Sequence, residues 1–158
     1  MMRLHVAAVG RIRADAPERA LIEDYGMRFN RTARPLGMGP LHEHEVEPRR
    51  GTGPAAEADA LTRVVPNGAA VVALDERGRT LSSTDLADRL ETFRDMGRAD
   101  LAFLIGGAYG LLRETRENAD LVLSFGPMVW PHMLARVMLF EQLYRAATIL
   151  SGSPYHRI

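Results

Sequence analysis

The sequence reads LAFLIGGAYGLL at residues 101–112 and LVLSFGPMVWPH at residues 121–132. Each stretch predicts a short apolar β-strand that ends in a turn of small residues, Gly106-Gly107 in the first and Gly126-Pro127 in the second. A glycine lets a ligand approach the backbone closely, because it has no Cβ. A helix pattern follows the second turn. Two such turns with a helix behind them predict a site for a small ligand.

The rest of the chain alternates strand and helix patterns. Strands are predicted at Arg3–Val9, Leu41–Val46, Ala69–Leu74, Leu101–Ile105 and Leu121–Phe125. Helices are predicted from Pro17 to about Asn30, over Ala55–Val65, from the cap at Ser82–Asp85 to Gly97, over Leu111–Ala119, and from Pro131 onward. This order predicts a single α/β domain, residues 1–158, with a mainly parallel sheet covered by helices on both faces. Ligands bind at the carboxyl edge of such sheets, which is where the loops after Leu74, Ile105 and Phe125 fall.

Composition excludes several kinds of site. The chain has no cysteine, which excludes disulfides, thiolate metal sites and thiol nucleophiles. All 20 basic residues are arginine, which excludes lysine Schiff bases and phosphate loops of the Walker type. The formal net charge of zero is unlike that of a free-standing nucleic-acid binder, so an RNA substrate would be held locally or with a partner's help. With no membrane-length apolar run and no secretion signal, we expect a cytoplasmic protein without membrane contact.

Two polar stretches have both a functional and a structural interpretation. The run His42-Glu43-His44-Glu45 contains metal-ligand residue types, but no third ligand lies nearby in sequence. We therefore favour a surface strand and expect no metal. The loop at residues 48–54 carries two arginines that could meet a phosphate backbone, although a solvated surface loop is the favoured interpretation.

The final helix and the tail carry most of the reactive side chains. Glu141 and Arg145 are one helical turn apart on the same face and can pair. The tail contains Tyr155, His156 and Arg157, which supply an imidazole that titrates near neutrality and a guanidinium suited to phosphate. This concentration of groups predicts a functional end rather than a frayed one.

Four motifs together resemble a known family. They are LDERG at residues 74–78, FLIGGAYGL at 103–111, LSFGPMVWPHMLARVMLFEQLYRA at 123–146 and PYHR at 154–157. They look like the bacterial large-subunit rRNA pseudouridine N3-methyltransferase family of the SPOUT superfamily. Family members commonly have proline and glutamate where this chain has Ala108-Tyr109, so the resemblance allows a somewhat different loop there.

The resemblance implies a fold, a cofactor and partners. It implies an α/β domain with a trefoil knot near the C-terminus, whose knotted backbone binds S-adenosylmethionine. It also implies a homodimer in which each site includes residues of the partner. The implied substrate is a pseudouridine in 23S rRNA, methylated at N3 on the assembled ribosome. By position, the cofactor contacts fall on Leu74, Gly107, Gly126, Pro127, Met128, Val129, Trp130 and Pro131.

The chemistry requires removal of the N3 proton, for which a base titrating near neutrality is suited. His156 is the first candidate for this base and Glu141 is the second. Arg145 and Arg157 are predicted to hold substrate phosphates or to offset charge on the ring oxygens. His132 is predicted to order the cofactor loop.

Two alternatives remain at this stage. One is another SPOUT RNA methyltransferase that acts on tRNA, against which the absence of an added RNA-binding domain argues. The other is a ribosome-binding relative that has lost catalysis.

Overall fold

The computed structural model describes residues 1–157, which form a five-stranded sheet and five α-helices. The strands are β1 Met2–Val9, β2 Met38–Val46, β3 Ala70–Thr80, β4 Asp100–Ile105 and β5 Leu121–Ser124. The helices are α1 Pro17–Ala33, α2 Pro54–Val64, α3 Ser83–Asp95, α4 Arg113–Glu117 and α5 His132–Ser151. The sheet order is β2-β1-β4-β3-β5, and every pair is parallel. The predicted α/β class with a parallel sheet is confirmed.

Helices cover both faces of the sheet. Successive side chains of a strand point to opposite faces, so the apolar residues of β1 enter two different cores. Leu4, Val6 and Ala8 of β1 face the larger core, which they share with α1, α3 and α5. Ala7 and Val9 face a smaller core that includes buried residues of α2. Within residues 1–157, every helix is either too short or too polar to span a bilayer. The trefoil knot stays a prediction from the resemblance.

Several predicted boundaries were wrong by a few residues. Helix α1 continues past Asn30 to Ala33. The side chain of Asn30 does not cap the helix, because its Oδ1 accepts a hydrogen bond from the Leu41 N–H of β2 (2.8 Å). Helix α4 is shorter than predicted, because the chain before it is held in a turn and Leu111 is anchored in the smaller core. Pro131 is the N-cap residue of α5 rather than its first helical residue.

The polar stretch after Leu74, predicted to be a loop at a strand end, lies inside β3. Leu74 and Arg79 both pair with Leu123 of β5, so the four residues between them bulge out of the ladder. Gly78 closes this bulge against β5. A Cβ built there would lie 2.5 Å from the carbonyl oxygen of Val122, so only glycine fits without a shift of the backbone.

A polar cluster lies near the start of β1 and β4. Asp100 is 5% exposed and accepts two hydrogen bonds from the Arg3 guanidinium (2.8 and 2.9 Å). His5 Nε2 lies 2.8 Å from the same carboxylate, and His5 Nδ1 lies 3.1 Å from His44 Nε2. His5 also stacks on His42, so β1 brings a third imidazole to the two on β2. Within residues 1–157, no group of three or more His, Cys, Asp or Glu side chains has a metal-binding arrangement.

We expect the Asp100 cluster to make stability depend on acidity. The hydrogen bonds from Arg3, aided by His5 and opposed by burial, lower the pKa of Asp100 to about 2 from 3.8. A carboxylate with a depressed pKa contributes stability that is complete above its unfolded-state pKa and is lost as the pH falls through the folded-state value. The stabilising effect of Asp100 is therefore expected to shrink as the pH falls from about 5 to about 2.

The measurement is urea unfolding of the unmodified chain and of Asp100→Asn across that pH range. The difference in unfolding free energy between the two should be largest at the upper end and should fall toward the lower end. Asp88→Asn is the matched control, because Asp88 is exposed on α3 and has no ion pair among the described residues. A difference for Asp100→Asn that stayed constant over the range would contradict the expectation.

Candidate functional site

A cavity of about 290 Å³ opens at the carboxyl edge of the sheet. The ends of β4 and β5, the bulge of β3 and the start of α5 line it. Five of the eight predicted cofactor residues lie in its wall: Leu74, Gly107, Gly126, Met128 and Trp130. The other three, Pro127, Val129 and Pro131, belong to the same connection but do not line the cavity.

The turn after β4 forms one wall of the cavity. Gly110 N–H donates to the Gly107 carbonyl (3.0 Å), and the two residues form an isolated bridge. A Cβ at Gly106 would lie 2.8 Å from the Gly110 carbonyl, and Gly110 itself has φ +76°. The GGAYG sequence is therefore explained by a tight turn that brings backbone groups to the cavity, without the spacing of a dinucleotide loop.

The turn after β5 forms the facing wall. The Ser124 hydroxyl accepts a hydrogen bond from Gly126 N–H (3.0 Å), and Gly126 has φ +106°, which favours glycine. Residues 127–132 after this turn are all exposed. The result is an open connection, built on a fixed turn, between β5 and α5.

This connection carries an apolar surface beside the cavity. Exposed fractions are 69% for Met128, 83% for Val129 and 41% for both Trp130 and Leu134, and Tyr109 of the facing turn is 73% exposed. Such a grouping of large apolar side chains is typical of an interaction surface.

A buried ion cluster holds the first turns of α5 to the sheet. Arg136 is 1% exposed and donates to Glu43 Oε2 (2.8 Å), Glu45 Oε2 (2.6 Å) and the Gly10 carbonyl (3.1 Å). Arg19 of α1 donates to the same two carboxylates. These four side chains, Arg19, Glu43, Glu45 and Arg136, are called the buried ion cluster below.

The buried ion cluster is electrically balanced. Burial acts to raise the pKa of Glu45, but hydrogen bonds from Ile12 N–H and Arg136, with the charge of Arg19, lower it overall. The cluster ties the loop after β1 to the helix turn that carries His132, and a Cβ at Gly10 would lie 3.9 Å from His132 Nε2. His132 lines the cavity. The cluster therefore fixes one wall of the site from behind.

The second half of α5 and the tail after it form a second group of polar side chains. Glu141 Oε1 accepts hydrogen bonds from Arg145 Nε (2.8 Å) and the Tyr155 hydroxyl (3.3 Å). His156 Nδ1 lies 3.1 Å from Arg145 Nη1. Because a guanidinium can only donate, His156 Nδ1 is the acceptor in this contact. We call Glu141, Arg145, Tyr155 and His156 the tail cluster.

Tyr155 anchors the tail to α5. Its ring lies 4.6 Å from that of Tyr144, and the Arg145 guanidinium lies 4.8 Å from its ring centre. Burial and the nearby charge of Glu141 raise the pKa of Tyr155 to about 12, so its hydroxyl stays a hydrogen-bond donor. The predicted pairing of Glu141 with Arg145 is confirmed, while Arg157 is exposed.

The structure keeps the tail cluster apart from the cavity. None of the predicted reactive residues of the tail cluster lines the cavity wall. From His132 to Arg145 is thirteen residues along one helix, roughly 20 Å of axial rise. Within one copy of the chain, Arg145 and the tail residues therefore lie apart from the predicted cofactor residues, while Glu141 lines a neighbouring cavity that shares Leu123 and Phe125 with the cofactor cavity.

Sequence reasoning missed the residues that support the cavity from outside its wall. Glu57 of α2 is one: a Cβ at Gly107 would lie 2.8 Å from Glu57 Oε2, so this carboxylate fills the space behind the turn. Arg136 is another, since a buried arginine looks like any polar residue of an amphipathic helix. The sequence did contain a signal, because Arg136 stands within the apolar run MLARVMLF. A charged side chain in such a run is buried only when oppositely charged or hydrogen-bonding partners surround it.

Comparison with known proteins gives a consistent result. Residues 2–156 match the family described as "Predicted SPOUT methyltransferase". A protein of Dinoroseobacter shibae named "Ribosomal RNA large subunit methyltransferase H" is 62% identical over 99% of this chain and all of its own length. A protein of Cereibacter sphaeroides with the same name is 61% identical over the same shares of both chains.

A likeness to a solved structure concerns the fold alone. A probable methylase family protein from Haemophilus influenzae superposes with a TM-score of 0.50 at 12% identity, covering 99% of this chain and 70% of that one. With a family match over nearly the whole chain and full-length relatives about 60% identical, this chain belongs to the SPOUT methyltransferase family.

Proposed function

We propose that this protein transfers a methyl group from S-adenosylmethionine to N3 of a pseudouridine in 23S rRNA on the assembled ribosome. The observation that carries the proposal is the cavity at the carboxyl edge of the sheet, whose wall contains five of the residues at which the family resemblance places the cofactor. The name of the full-length relatives supports large-subunit rRNA as the substrate. Because the proposed substrate is the ribosome, we place the protein in the cytoplasm. We also propose that residues 1–158 act as one domain.

The residues of the cavity suit adenosylmethionine. The volume of the cavity, about 290 Å³, is just below the range of ~300–1,000 Å³ that is typical of small-molecule sites. The wall combines apolar side chains such as Leu74 and Trp130 with the glycine turns, which present backbone donors and acceptors. When bound, the cofactor supplies a methyl group already activated by its sulfonium. What remains for the protein is to orient the substrate, exclude water and move one proton.

We propose that the active site is composite, with the cavity of one copy facing the tail cluster of the other in a homodimer. The separation of the two groups along α5 supports this arrangement, because a single copy does not bring them together. The exposed apolar side chains of Met128, Val129 and Trp130 give the partner a surface to cover beside the cavity.

In this arrangement, the tail cluster performs the proton chemistry. Arg145 and Arg157 hold a substrate phosphate or donate to the ring oxygens, which gain charge as the N3 proton leaves. His156 takes this proton, which requires Nδ1 to exchange its contact with Arg145 for one with the substrate. Catalytic hydrogen bonds often form only in the complex. Glu141 holds Arg145 in place and is the second candidate for the base.

The experiment is methyl transfer from labelled adenosylmethionine to four separate acceptors: free 23S rRNA, large subunits, whole ribosomes and tRNA. The RNA and ribosomes come from a strain that lacks this protein. Transfer confined to ribosomes and mapped to N3 of one pseudouridine would support the proposal. Transfer to tRNA would favour a different substrate within the superfamily. Cofactor binding without transfer to any acceptor would favour a ribosome-binding protein without catalysis.

A further inference from the structure

A second cavity, of about 380 Å³, is lined by residues of β3, α4 and β5. Three arginines line it, Arg77 from the bulge of β3 with Arg113 and Arg116 from α4, together with Glu117 and Val122. Arg77 also lines the cofactor cavity, so the two cavities adjoin. In a chain with a net charge of zero, three guanidinium groups converging on one cavity form a local basic site.

The carboxylates nearby satisfy these guanidinium groups only in part. Asp75 accepts hydrogen bonds from the backbone N–H and Nη1 of Arg77 (2.9 and 3.3 Å), which fixes the place of Arg77. Arg116 reaches the same carboxylate only at 3.8 Å, and its Nε is buried without a hydrogen-bond partner in the described part of the chain. Arg113 pairs with Glu117 at 2.7 Å. Three positive charges thus face two negative ones.

We propose that this cavity binds a backbone phosphate of the substrate RNA. Among the described residues Arg113 pairs with Glu117 through Nε, and its side chain is 83% exposed. Exposed guanidinium groups are strong donors to phosphate oxygens, and several around one cavity fix the position of the backbone. The shared Arg77 places this contact beside the cofactor. The inference rests on the proposed function, because it names the RNA contact that orients the same substrate. A local site of this kind accounts for RNA binding by a protein without a basic surface overall.

The test is Arg113→Gln, because Arg113 has an 83% exposed side chain and does not line the cofactor cavity. We expect the KM for ribosomes to rise about threefold to tenfold with kcat unchanged. The slope of log K for ribosome binding against log salt should become less steep by about one. Adenosylmethionine affinity should stay the same. Arg113→Gln/Arg116→Gln should enlarge the first two effects, provided that its melting temperature shows a folded protein.

Arg13→Gln is the matched control, since Arg13 is also 83% exposed and pairs with a single carboxylate, Asp15. It removes the same charge away from the cavity and should leave KM and the salt slope unchanged. Equal effects of Arg13→Gln and Arg113→Gln would mean that the overall charge of the protein, and not this cavity, determines RNA binding, and would overturn the inference. So would an unchanged KM for Arg113→Gln, or a loss of cofactor affinity. If the unmodified protein methylates no RNA, the proposed function is wrong. If it methylates RNA and Arg113→Gln does so with the same KM, only the inference about the phosphate site is wrong.

Discussion

Replacement of Arg136 by methionine is expected to lower the free energy of unfolding by about 3 kcal/mol. The change leaves Glu43 and Glu45 with Arg19 as their remaining partner and removes the bond to the Gly10 carbonyl. Breaking a buried ion pair typically costs about 3–5 kcal/mol. The low end applies because the side chains of Glu43 and Glu45 are still 16% and 25% exposed to solvent. Urea unfolding measures the loss. Cofactor affinity should fall as well, because the anchor of the helix turn that carries His132 is removed.

The double variant Arg136→Met/Glu45→Gln tests the cause of this loss. If the cost comes from a carboxylate left without a full partner, neutralising Glu45 should recover a substantial part of the unfolding free energy, because Arg19 then balances Glu43 alone. A double variant less stable than Arg136→Met would mean that the cluster acts through packing instead. Arg136→Lys is expected to recover little, since one ammonium group cannot reproduce the fork that spans two carboxylates and a carbonyl.

Replacement of His156 by alanine is expected to lower kcat for methyl transfer to ribosomes by about 10²- to 10⁴-fold. The reason is the loss of the group proposed to take the N3 proton. Single-turnover methyl transfer, with cofactor and ribosomes both saturating, separates this effect from weaker binding. Full turnover by His156→Ala would end the assignment of this residue as the base.

His156→Asn distinguishes a base from a hydrogen-bond donor. The amide of asparagine keeps an N–H donor and an oxygen acceptor but takes up no proton near neutrality. If His156 is the base, the asparagine variant should be as slow as the alanine variant. If it regained most of the rate, His156 would act by donating to the ring, and Glu141 would become the first candidate for the base. Thr84→Ala, an exposed position on α3, controls for preparation and handling.

The main features of the fold could be predicted from local pattern. Apolar runs such as 101–105, punctuated by glycine turns, gave the strands, and their alternation with helices gave the parallel sheet. The bulge after Leu74 could not be predicted, because a polar DERG sequence in a strand is stabilised only by its approach to β5. That approach depends on Gly78 meeting the backbone of Val122, a contact between residues far apart in sequence.

The candidate site was predictable in its parts and not in its arrangement. The glycine turns near residues 106 and 126 were visible because their sequences restrict the backbone. The resemblance assigned the cofactor residues and the tail to a site shared between two copies, but it did not show which of these groups one copy brings together. The distance along α5 separates them. The support given by Glu57 and Arg136 was invisible for the same reason, because burial is a property of the assembled layers.

Helix α5 connects two groups whose relative placement depends on its length. Each added residue turns a helix by about 100° and lengthens it by about 1.5 Å. One residue inserted between His132 and Arg145 would therefore swing the tail cluster to a different side of the helix, even if every contact within the cluster survived. Substitutions on the solvent side leave this phase unchanged. The solvent-facing positions of this segment are thus free to vary in composition while insertions and deletions are excluded, so selection has to preserve its residue count together with buried side chains such as Arg136 and Phe140.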